Sequence, residues 1–177
     1  MHSSQSPRQR GIALITTLIL LVMMTLMAVS AARMGSLEER MAGNLRDRDI
    51  ALRAAEMGLR DAERDLMNSV PGSARAISGC SGFTAACGGD TSDTSDDGQC
   101  NSATANYSYL TSPTVAPSVP YGRFTNATAI PGVLAQPRYL IECFTKNSDT
   151  YYRITVLARG ASPGTQVMME EVFKPTG

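Results

Sequence analysis

RQRGIALITTLILLVMMTLMAVS, Arg8 to Ser30, decides how this chain is to be read. Two arginines and a glycine lead into a run from Ile12 to Ala32 that contains no charged residue. As a helix, a run of this length crosses about 30 Å of hydrocarbon. One reading is a secretory signal: Arg8 and Arg10 supply the basic flank, and AVSAA at 28–32 a small-residue cleavage site. The run is longer than the apolar core of such signals, about 7–15 residues. Cutting there would also leave a charged helix with no docking partner at its start. A retained membrane anchor fits both the length and the basic flank, which stays cytoplasmic.

From Arg33 to Leu66 the chain becomes a dense mixture of Arg, Asp, Glu, Ala, Leu and Met, and no proline occurs between Pro7 and Pro71. Leu45, Leu52, Leu59 and Leu66 recur every seven residues, with Ala55 and Ala62 near the same face. Opposite charges in RDRD (46–49) and RDAERD (60–65) stand at helical neighbour spacing. The pattern predicts one amphipathic helix with a narrow apolar stripe. Gly35, Gly43 and Gly58 each weaken it by about 1 kcal/mol relative to alanine. SLEE at 36–39 could cap a new helix, but continuity is the simpler reading. Unbroken from Ile12 to Leu66, the helix would be roughly 80 Å long. That is too long for a compact domain of this chain's size, so its first half must be buried outside its own fold.

Residues 69–105 are rich in Gly, Ser, Thr, Asp and Asn and hold Cys80, Cys87 and Cys100; Cys143 follows later. An even cysteine count beyond an export signal predicts two disulfides formed outside the cytoplasm, in one of three pairings. Strand signals follow in NYSYLT (106–111), RYLIECFT (138–145), YYRITVLA (151–158) and QVMMEEVFK (166–174). The short connectors KNSD and RGASPGT predict an antiparallel meander. Residues 112–137 contain five prolines and read as an irregular connection. The expected fold class is α+β. A long N-terminal helix, apolar in its first half and amphipathic in its second, lays the stripe of Leu45, Leu52, Leu59 and Leu66 on a small antiparallel sheet.

A third reading of the opening stretch comes from resemblance. A short hydrophilic leader ending in glycine, then about 20 apolar residues and an amphipathic helix, looks like a type IV prepilin. SLEERMAGNLRDRDIALRAAEMGLRDAE (36–63) closely resembles the N-terminal signature of the PilX family of type IV pilus minor pilins. PRYLIE and YYRITVLARG resemble its strands less distinctively, and residues 69–135 match nothing identified. The resemblance implies cleavage by a prepilin peptidase between Gly11 and Ile12 and methylation of Ile12. It divides the chain into a leader (1–11), a membrane and filament-core half-helix (12–32), an amphipathic half-helix (33–68) and a globular loop-and-sheet region (69–177). The implied setting is the inner membrane of a Gram-negative bacterium, with a periplasmic domain that later reaches the pilus tip. Implied partners are other minor pilins and a PilY-type tip adhesin, with no cofactor, nucleic acid or small-molecule substrate.

One departure is informative. Major pilins carry a glutamate at the fifth mature position, where this chain has Thr16. A carboxylate in an apolar layer needs a partner, whereas a threonine hydroxyl can bond back to its own helix. A tip subunit has no neighbour ahead of it to satisfy. The tip-like pseudopilin of type II secretion also lacks this glutamate, but carries a much larger insertion than this chain holds.

Other functions find little support. The formal net charge is zero and the single histidine is His2, which argues against nucleic-acid binding and against histidine-activated nucleophiles. There is no phosphate loop and no CxxC. Asp93, Ser95, Asp97 and Gly98 match the first half of a calcium loop, but its twelfth position is Thr104 rather than glutamate. Asp93 and Asp97 are therefore weak calcium candidates, and a solvated acidic loop is the simpler reading; a membrane-anchored adhesin or calcium-binding module is the alternative function. Glu170 and Glu171, consecutive on a strand, point to opposite faces and read as surface charges. Glu142 reads as an edge or rim residue, and the tyrosines at 107, 109, 139, 151 and 152 as sheet-face residues.

Overall fold

A computed structural model describes residues 10–67, 79–81, 83–84, 87, 98–101 and 117–174. Helix α1 runs unbroken over Arg10–Leu66. Ser36 donates its hydroxyl to Arg33 O at 3.0 Å, a bond of a helix interior rather than of a cap. The chain forms two compact units, dividing within α1 after Asn44. In the first, α1 stands without a packing partner among the described residues, and its large apolar side chains are exposed.

The second unit is a five-stranded sheet covered on one face by α1 from Leu45 onward. Strands β1 (Gln99–Asn101), β2 (Val119–Pro120), β3 (Arg138–Lys146), β4 (Asp149–Arg159) and β5 (Gln166–Phe173) are arranged β1-β3-β4-β5, with β2 also on β3. Strands β3, β4 and β5 form the expected meander. The β3–β4 turn is the pair Asn147–Ser148, both at positive φ (54° and 67°), the twist that suits a two-residue hairpin. The sheet is mixed rather than wholly antiparallel, because β1 runs parallel to β3 with Cys100 opposite Glu142. A three-residue strand inside a Gly/Ser/Asp-rich segment has no alternation to reveal it. NYSYLT, with Tyr107 and Tyr109, lies outside the described residues.

The core lies between α1 and one sheet face. Tyr139, Ile141, Cys143, Tyr152, Ile154, Val156 and Ala158 meet Ala54, Ala55, Leu59, Ala62 and Leu66. This corrects the expected leucine stripe: Leu59 and Leu66 are 7 % and 6 % exposed, but Leu45 and Leu52 are 67 % and 40 % exposed. A seven-residue repeat drifts about 20° per heptad on an ordinary helix, so only two of the four leucines can face the sheet. The rest of the contact is made by small residues. At Gly58 a β-carbon would lie 2.7 Å from Val156 Cγ1 and 3.1 Å from Pro137 Cβ, so this glycine lets helix and sheet approach closely.

Candidate assembly helix and its anchor

The first half of α1 offers one kind of surface. None of its most apolar stretch is buried. Ile12, Leu21 and Met27 are 68 %, 63 % and 72 % exposed. A continuous apolar surface of this kind marks a contact with lipid or with other protein. Its polar groups are satisfied internally. The Thr16 hydroxyl donates toward Ile12 O (3.1 Å) and Ala13 O (3.0 Å). Thr17, Thr25 and Ser30 bond back to Leu14, Val22 and Leu26 in the same way. The helix therefore presents no unmet hydrogen-bonding demand from Thr16. Gly11 and Ile12 stand in its first turn.

The second half is fixed by three carboxylates. Asp47, Asp61 and Asp65 are 8 %, 1 % and 1 % exposed, although each sits in a charge-rich run that reads as solvated. Asp47 Oδ1 accepts from the amides of Ala161 (2.5 Å) and Ser162 (3.2 Å), in the connection between β4 and β5. A Thr165 hydrogen bond and these amides hold the Asp47 pKa below the ordinary carboxylate value, outweighing its partial desolvation. Asp61 Oδ2 accepts from the Gly122 amide at 2.7 Å, and Oδ1 accepts from the Thr125 hydroxyl. Burial dominates there and raises the Asp61 pKa, against the lowering effect of both donors. Asp65 Oδ2 accepts from the Tyr139 hydroxyl at 2.8 Å. Each acid thus ties α1 to a different segment of the domain. The missed signal is their spacing: Asp47, Asp61 and Asp65 fall at helical intervals from the buried Ala51, Ala54 and Ala62, on the alanine-lined face rather than the charged one.

The four cysteines form two disulfides. Cys80–Cys143 joins the segment after α1 to β3 on the core side. Cys87–Cys100 lies on the opposite sheet face with Leu140 and Leu157. Glu142 is not a rim residue. It is fully buried on that second face, where Arg153 grips it with Nε to Oε2 at 2.6 Å and Nη2 to Oε1 at 2.8 Å. Arg153 Nε also lies 3.1 Å from Glu170 Oε1. Burying a carboxylate requires such pairing, and a lone glutamate among apolar neighbours does not announce it. Asp93 and Asp97 lie outside the described residues. Among the described residues no group of three or more His, Cys, Asp or Glu side chains could hold a metal ion.

Comparison with curated proteins and with solved structures returned no match. Two protein-family models match. The model described as PilX N-terminal covers residues 10–60, the apolar and amphipathic stretch of α1. The model described as Type IV pilus assembly protein PilX C-term covers residues 89–175, including every strand of the sheet and much of the segment that resembled nothing in sequence. The family is one of structural pilus components that interact with other pilus components. The exposed apolar helix, the α+β domain and both matches give one conclusion: the chain belongs to the PilX family, the minor pilins of type IV pili.

Proposed function

We propose that this chain waits in the inner membrane, joins other minor pilins in a complex that primes pilus assembly, and stays at or near the pilus tip, where it helps present a PilY-type adhesin. A prepilin peptidase removes residues 1–11, and Ile12 becomes the methylated N-terminus. Residues 12–32 then leave lipid for the filament core, 33–68 carry the globular region, and 69–177 pack outside. The role is association, and it calls for no cofactor.

The observation that carries this reading is Thr16. Its hydroxyl is satisfied within its own helix turn, so α1 enters the apolar core without a carboxylate that needs a neighbouring subunit's amine. A subunit used once, at the head of the filament, can do without that contact. Deleting the gene should remove most surface pili, and complementation with an epitope-tagged copy should restore them with label at the filament ends. Label along the shaft, or normal piliation without the gene, would overturn the proposal.

A further inference from the structure

Strand β5 ends the sheet, and among the described residues nothing pairs with its outer edge. Half of its backbone N–H and C=O groups face that edge, and such a row is complementary to another extended backbone. Beside it lies an open groove of about 610 Å³ lined by Glu56, Arg60, Glu63 and Arg64 of α1 and by Glu171 of β5. No other strand lines this groove, so it opens at the β5 edge. Its charges are three carboxylates against two guanidinium groups. Two of the carboxyl groups, Glu63 and Glu171, lie close enough to interact. Burial, and then the neighbouring Glu63, raise the Glu171 pKa. Neither arginine of the groove is among the groups that shift Glu171.

On the opposite sheet face, Met168 and Val172 of the same strand are 50 % and 57 % exposed. A segment running along β5 would therefore meet the Glu171 side of the groove on one face and the apolar Met168 and Val172 on the other. A second copy of this chain does not suit the site. Two β5 strands meeting edge to edge would gather Glu170 and Glu171 of both at mid-ladder, and like charges opposite each other destabilise a sheet.

We propose that the β5 edge holds an extended segment of another protein, added as a further strand, whose Lys or Arg side chain enters the groove between Glu63 and Glu171 while its alternate side chains, apolar, cover Met168 and Val172. The inference extends the filament-subunit reading by naming how one neighbour is held. It is tested on the purified chain, so its failure and the failure of the pilus reading are separate results.

The test is to pan a random 12-residue peptide library against the full chain in lipid nanodiscs. Enriched peptides should alternate apolar residues with Lys or Arg, and should slow hydrogen exchange of the β5 amides. N-methylating one alternating set of peptide amides should weaken binding at least tenfold, and the other set much less. Glu171→Gln should also weaken binding at least tenfold without lowering the thermal midpoint, and Glu63→Gln gives the same reading if Glu171→Gln does not fold. Absence of enriched binders, binders indifferent to N-methylation of either set, or undiminished affinity in the folded glutamine variant would each overturn the proposal.

Discussion

Gly58→Ala tests the packing of α1 on its sheet, because two physical effects predict opposite signs. Helix propensity alone makes alanine better than glycine by about 1 kcal/mol. Sterics opposes this. The added β-carbon would sit 2.7 Å from Val156 Cγ1 and 3.1 Å from Pro137 Cβ. Val156 is fully buried on a strand and its β-branched side chain is stiff, so it cannot swing aside. Overpacking of this kind costs about 1–3 kcal/mol. The expected net effect is a loss of about 1 kcal/mol, which lowers the thermal midpoint by about 4 °C. Urea unfolding of the full chain in detergent micelles, followed by near-ultraviolet circular dichroism, measures it. Gly164→Ala is the control, since a β-carbon there meets nothing within 4 Å. A Gly58→Ala chain more stable than the parent would refute the close approach and leave propensity as the governing term.

Leu59→Ala should cost about 2–4 kcal/mol, whereas Leu45→Ala should change stability by less than about 0.5 kcal/mol; equal losses would restore the four-leucine stripe. Replacing both Cys80 and Cys143 with serine frees a loop of 63 residues, for which the chain-entropy model gives about 4 kcal/mol, readable as a shift in the urea midpoint. The aspartates should differ in pH dependence. Asp47 has a lowered folded pKa, so its stabilisation is present above the unfolded value near 3.8 and is lost as pH falls through the lower folded value. Asp61 has a raised folded pKa, so its contribution is greatest below 3.8 and declines as pH rises through the raised value. The stability gap between parent and Asp47→Asn should close in acid, and that between parent and Asp61→Asn should shift toward the variant as pH rises from about 4; the same slope for both would contradict the assigned environments.

The long helix was legible from its charge-free run and the proline-free stretch that follows, and the three-stranded meander from strand-like runs joined by short, turn-rich connectors. Strand β1 was not, since three residues set no period and its partner lies far along the chain. The leucine repeat is a poor guide to the stripe because the contact face is mostly alanine and Gly58. Asp47, Asp61 and Asp65 were hidden for a related reason. Local spacing pairs them with nearby arginines, and only the folded chain brings the amides of Ala161 and Gly122 and the Tyr139 hydroxyl within reach. Glu142 likewise acquires its meaning from Arg153, across the β3–β4 ladder. At the other end of the chain Thr16 was readable, because a hydroxyl in an apolar helix bonds to carbonyls one turn back whatever surrounds it.

The most direct test of the pilin role is the N-terminus of the protein extracted from membranes and from sheared pili. Intact mass and N-terminal sequencing should find a chain beginning at N-methylated Ile12, with the apolar half of α1 retained. A chain beginning at Met1, or cut near Ala31, would contradict it.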